Sequence, residues 1–316
     1  MRAFGGRLLE FSRRRRTPLT IVGSVAVAAL LAAVLAGRRA EFTHALSSAS
    51  LAVLAGTALL QAVALVSRSE AWHLTIEAAG GTVSRRVLYR ASSMQVLGSV
   101  LNGHLGVAAR IAALRRSSPD ACPQVPTLVA AEFPILAVEA MLAAAASFTL
   151  VAPLGLPWWL PLVALAGVGL VSAALRQLAL RKGRELWRGL AVLRSFAGGS
   201  RVVAFVLVAV VAQILRNWIL LRAVGVDASL LDATAVLIAV VTLGQLPVGP
   251  TVGAAAAVLI LGHDGVAAAA AGGLLLTVTG TIGGLCFVVW AGLDHVVSAA
   301  RVVRRQPAPH PESSAG

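Results

Sequence analysis

The chain has 316 residues, a net charge of +14 and 13% charged against 58% hydrophobic residues, with a mean hydropathy of +0.85. So apolar a composition leaves too little polar surface for a water-soluble globule of this size. Apolar runs of membrane-crossing length recur, and there are no alternating strands of about ten residues, which excludes a β-barrel and predicts an all-α polytopic membrane protein.

Residues 1–17 form a basic arm that includes Arg13 to Arg16. The apolar run from Pro18 to Gly37 is too long for the core of a secretion signal, so it is read as an uncleaved first span. Further candidate spans lie at about 46–67, 126–151, 158–177, 202–223 and 266–292. Two apolar stretches between them, about 91–114 and 232–262, are interrupted by glycine, proline and polar residues. The first contains LGSVLNGHLGVAARIAAL (Leu97 to Leu114) and the second LGQLPVGPTVGAAAAVL (Leu243 to Leu259). Irregular backbone at membrane depth survives only where protein or water surrounds it, and in transporters such breaks mark the binding site.

Arginine placement sets the expected topology, since Lys182 is the only lysine and cytoplasmic loops carry the positive charge. With both breaks as re-entrant hairpins, Arg85, Arg86, Arg115 and Arg116 lie inside with the basic loop around Arg181–Arg201. Asp227, Asp232, His263 and Asp264 lie outside. Arg38, Arg39 and Arg222 are the exceptions. The predicted architecture has about six full transmembrane helices plus two opposed re-entrant hairpins in one transmembrane domain, 18–295. Both termini are cytoplasmic and the location is the cell membrane. The alternative is eight spans, which puts the most basic loop outside. Residues 296–316 begin basic and end in a tail disordered by composition.

The basic charge gathers at the ends of apolar segments, which fits an anionic lipid surface rather than nucleic acid. Residues 184–197 place Leu186, Leu190, Leu193 and Ala197 on one helical face, as an interfacial amphipathic helix with Arg194 snorkelling beside Trp187. The stretch from Glu70 to Glu77 is a shorter candidate of the same kind. Cys122 and Cys286 fall in a loop and an apolar run, so neither a disulfide framework nor metal ligation is expected, and no cofactor is implied.

Charges within spans are functional candidates by default. Glu132 and Glu139 share a helical face on either side of Pro134, which kinks the span. Gln213, Arg216 and Asn217 share another. An ion pair between Glu139 and Arg216 is expected, either lining a path or joining two helices. The first break offers Gln95, Asn102, His104 and Arg110; Arg110 either holds a phosphate bidentately or snorkels to the interface. Gly103 and Gly106 supply its backbone freedom. The second offers Gln245, Pro247, Gly249, Pro250, Thr251 and Gly253, either as free amides for an anion or as a tight turn for close helix packing. Gly280 and Gly284 are read as packing positions only. No D-x-D, Walker, GxSxG or HExxH sequence is present, and a non-catalytic role is expected over an enzymatic one.

Trp72, the basic stretch after it, Asn102-Gly103-His104-Leu105-Gly106, Arg110, Glu132, and Pro247-Val248-Gly249-Pro250-Thr251-Val252-Gly253 occur in an order that resembles the transmembrane region of lysylphosphatidylglycerol synthases and the flippase-like membrane proteins that share it. The resemblance spans about 20–295. This chain departs from that pattern at His104 (usually Pro), at Phe133 (usually Arg), at Ala256 (usually Glu), and in the last span, where Thr277, Thr279 and Thr281 stand and an Arg is common. The soluble aminoacyl-transferring domain of the synthases has no counterpart in these residues, so lysyl-lipid synthesis by this chain alone is not expected. The resemblance implies translocation, or presentation to a partner, of a phospholipid or polyprenyl-phosphate-linked glycolipid. The alternatives are a membrane-embedded glycosyl or aminoacyl-lipid transferase, or an inactive partner subunit of a separate synthase or glycosyltransferase.

Overall fold

The computed structural model describes residues 29, 31–33, 35–101, 103–180, 185–243, 252–262 and 265–305. The basic arm, most of the first predicted span, Asn102, residues 244–251 (with Gln245, Pro247, Gly249, Pro250 and Thr251), His263, Asp264 and the C-terminal tail lie outside them, as does the side chain of His104. Among the described residues the protein is all α-helical with 3-10 turns and no strand. Five helices among the described residues are long and apolar enough to cross a membrane: Leu51–Ala78, Val125–Leu154, Leu160–Leu180, Phe196–Ala223 and Val266–Leu293. The chain is a polytopic α-helical membrane protein.

Helix α1 (Arg39–Ser48) is followed by Ser50, whose side chain accepts from Val53 N and starts α2 (Leu51–Ala78). The N-cap satisfies a donor that the first turn cannot. Gly80, at φ 92°, ends α2 in the left-handed region that favours glycine. Helix α2 runs the length of the bundle and packs mainly on α10 (Phe196–Ala223) and α13 (Val266–Arg305). The stretch from Glu70 to Glu77, expected as a surface helix, is instead the last part of α2, with Glu70, Trp72, His73 and Ile76 buried. Its polar residues are covered by other parts of the fold, which local amphipathicity does not register.

The first break is a helical hairpin. Helices α3 (Arg85–Leu101) and α4 (Gly103–Ser117) pack against each other along their lengths. At about 1.5 Å per residue they extend about 25 and 22 Å, short of the roughly 30 Å hydrocarbon core. Two glycines permit the close approach: a Cβ on Gly98 would lie 2.9 Å from Gly106 Cα, and one on Gly106 would lie 2.8 Å from the Gln95 carbonyl oxygen. The second break contains α11 (Leu230–Leu243) and α12 (Val252–Leu261), also short and packed together. Gly253 meets Gly273 of α13 backbone to backbone, so this glycine serves close helix packing.

The hairpins enter from opposite ends of the bundle, because their open ends belong to different cores. One core joins Trp72, Ile76, Val83, Leu88, Leu114, Leu128, Val192 and Val202. The other joins Ala45, Leu220, Val224, Val226, Ala233, Ile260, Leu261 and Leu276. Between them lies a small cluster of Ala64, Ala209 and Ala212.

The span at 126–151 is broken where the sequence places its kink. Helix α5 (Val125–Ala130) stops before Glu132, and α6 (Phe133–Ala146) starts with Pro134 in its first turn. Proline is tolerated in a first turn, where its missing N–H has no intrahelical partner. A 3-10 turn (Ser147–Leu150) and the short α7 (Val151–Leu154) lead to α8 (Leu160–Leu180). The expected continuous interfacial helix at 184–197 is two short pieces, α9 (Glu185–Arg188) and a 3-10 turn (Ala191–Arg194). Gly189 between them is pressed onto α5, where a Cβ would lie 2.8 Å from Ala131 N. Arg194 is exposed, and its Nε donates to the Ala179 carbonyl at 2.6 Å.

Candidate functional site

The buried charges of the interior meet in two places along α2. The first is built around Trp72, which is fully buried and was placed by the resemblance rather than by any spacing. Arg110, on α4, is 1% exposed. Its guanidinium carbon lies 3.8 Å from the centre of the Trp72 ring, a cation–π contact in a dry setting. Its Nη2 donates to Glu132 Oε1, and Glu132 is 7% exposed. Glu132 reaches Arg110 because the chain breaks between α5 and α6 at that residue. Arg110 therefore does not snorkel; the hairpin carries it inward, and the ion pair stabilises it there.

The second pair of this site is Arg68 with Glu139. Arg68 Nη2 donates to Glu139 Oε2 at 2.9 Å, and both side chains are half-buried. Arg68 and Glu139 lie close enough for their charges to act on Arg110. The four groups sum to zero charge. Donors remain unused: Arg110 Nε, Arg68 Nε and Trp72 Nε1 are buried without a hydrogen-bond partner among the described residues. A site with spare N–H donors beside two guanidinium groups suits an oxyanion.

Arg68 replaces Arg216 as the partner of Glu139, so the expected Glu139–Arg216 pair does not form. Arg216 faces α2 about two to three turns away, where Gln61 Oε1 accepts from both Arg216 Nη1 and Gln213 Nε2. Arg216 Nη2 donates to the Leu276 carbonyl at 2.9 Å. Asn217 is buried beside it on α10. Gly280, expected to be a packing position, is one, and the group it packs against is the Arg216 guanidinium. Gly284 packs against Val96 of the hairpin.

Sequence reasoning missed Arg68 and Gln61. The signal for both is the stripe Gln61, Arg68, Trp72 on one face of α2 at helical spacing. It also missed a third polar group near the mouth of the first hairpin. There Tyr89 donates its hydroxyl to Glu70 Oε1, Arg85 Nε lies 3.4 Å from Glu70 Oε2, and the Tyr89 ring packs on Phe287 and Trp290 of α13 at 6.4 and 5.4 Å between centroids. A polar cleft lined by Gly80, Asp120, Gln124, Thr127 and Arg188 opens at the same end. Cys122 in its wall is a free thiol, pushed up by burial, with the Arg115 charge opposing.

No protein-family model, no curated protein and no solved structure matches this chain.

Proposed function

We propose that this chain is a multi-pass protein of the cell membrane, with cytoplasmic termini, that handles an anionic lipid by flippase-like translocation or presentation. The observation that carries the reading is the Arg110–Glu132 pair seated on Trp72, where buried N–H donors remain unused. A phosphate arriving from the arginine-rich end finds in Arg110 a charge that is fixed at any physiological pH and a planar fork matched to two of its oxygens. It takes the place of Glu132 on that fork, and Trp72 Nε1 supplies a further donor. Arg68, released by Glu139 in the same way, offers the next cation deeper in the bundle. The opposed hairpins give each membrane face its own entrance, and the resemblance to the lysylphosphatidylglycerol synthase transmembrane region supports the same substrate class. Both carboxylates that a transferase would use as a base are tied to arginines, which favours translocation over transfer.

The test is reconstitution in liposomes carrying fluorescent phosphatidylglycerol or a labelled polyprenyl phosphate. Wild-type protein is expected to expose inner-leaflet label to an added quencher, and Arg110→Ala to abolish this. Equal scrambling by Arg110→Ala overturns the role of Arg110, and no scrambling of either lipid by the wild type overturns the reading.

A further inference from the structure

The buried arginines of the interior are not equivalent. Arg110 has Glu132 against it and Arg68 has Glu139. Arg216, 8% exposed, has no carboxylate partner among the described residues. Its oxygen partners there, Gln61 Oε1 and the Leu276 carbonyl, are neutral. Its Nε is buried with no acceptor among the described residues. A guanidinium offers five N–H donors and no means of shedding its charge in a protein. A buried cation of this kind needs an anion from somewhere, since lipid and neutral carbonyls do not balance it.

The guanidinium is closely framed by its neighbours. Gly280 faces the guanidinium, and a Cβ there would lie 3.3 Å from Nη1 and 3.4 Å from Nη2. Gln213 holds the Gln61 amide with its oxygen toward Arg216, so the head group of the arginine is fixed in place. Gln61 precedes Arg68 and Trp72 on α2 by seven and eleven residues, which puts this point about 10 to 16 Å further along the bundle. The alanine cluster of Ala64, Ala209 and Ala212 separates the two.

We propose that Arg216 is a second anion-binding station, and that its counter-ion is the phosphate oxyanion of the ligand itself. This rests on the lipid-handling reading and deepens it. Arg110 is neutralised at rest and binds by exchanging partners, whereas Arg216 is uncompensated and binds by addition. An oxyanion released from the first site moves along the bundle toward the unpaired charge.

The test uses full-length protein in zwitterionic nanodiscs, titrated with short-chain phosphatidylglycerol and, separately, with inorganic phosphate. Arg216→Gln is expected to bind the lipid at least ten-fold more weakly, with a melting temperature equal to or above that of the wild type. Arg216→Lys keeps most of the affinity. Gly280→Val, which retains the cation but drives a side chain against the guanidinium, loses affinity as well and carries the test if Arg216→Gln does not fold. Displacement of the lipid by inorganic phosphate assigns the station to a free anion, and its failure to compete assigns it to a lipid head group. Affinity within two-fold of wild type in Arg216→Gln, or in Gly280→Val where that variant carries the test, overturns the proposal, as does a fall in melting temperature with affinity intact. If the wild type binds neither probe, the lipid-handling reading falls with it; if the wild type binds and the variants match it, only the Arg216 station falls.

Discussion

The guanidinium of Arg110 lies over the ring of Trp72, 3.8 Å from its centroid, in a part of the bundle where both side chains are buried. The two come from helices far apart in sequence, and their contact ties the first hairpin to the central helix α2. The ring face supplies negative potential where water is excluded, so the contact and the Glu132 ion pair together stabilise the inward position of Arg110.

Replacing the ring therefore separates shape from charge. Trp72→Phe is expected to keep part of the cation–π contact, and Trp72→Leu to lose it at a cost of about 1–2 kcal/mol beyond the lost packing. Thermal unfolding in detergent measures the difference, and equal stability of the two variants would remove the ring from the account.

Glu132→Gln leaves Arg110 buried without its anion, with an expected loss of about 3–5 kcal/mol. The double variant Arg110→Gln, Glu132→Gln is expected to recover most of it, because neither charge remains. A double-mutant cycle by denaturant titration gives the coupling; additive effects would show that the pair contributes nothing as a unit.

Gly106→Val drives a side chain into the Gln95 carbonyl, and Gly98→Val into the Gly106 backbone. Each is expected to cost about 1–3 kcal/mol by overpacking and to lower lipid scrambling. Gly155→Val, at a position with open space for a side chain but at φ 60°, is expected to lower stability without affecting scrambling. A Gly106→Val protein with wild-type stability would mean that the hairpin helices do not need this approach.

Single cysteines at Ser118, Gly155 and Ser229, in a chain lacking Cys122 and Cys286, test the opposed hairpins. Ser118→Cys is expected to react with an impermeant maleimide only from the cytoplasmic side, and Gly155→Cys and Ser229→Cys only from the other. Labelling of Ser118→Cys from outside would favour eight crossings.

Much of the fold was legible because hydropathy and breaks are local. The glycines at 98, 103 and 106 interrupt an apolar run, and the run folds back where they occur. Pro134 marks the break before α6 for the same reason. Partner choice was not legible. Glu139 and Arg216 each sit on a polar face, but spacing within a helix does not say which helices are neighbours, and Arg68 lies nearer. Glu70 and His73 looked like the polar face of a surface helix because the parts of the fold that bury them are remote in sequence. The interfacial segment at 184–197 has the right periodicity, yet Gly189 must press on α5, and that contact breaks the helix in two.

The contact of Ala64 with Ala209 and Ala212 has a mechanical consequence. Alanines have no rotamers to lose, and here they let α2 and α10 pass unbroken from one core to the other. A shift imposed at one core is then carried to the other as along a rigid spine. Bulky residues at Ala209 or Ala212 would wedge the two helices apart without changing any binding group.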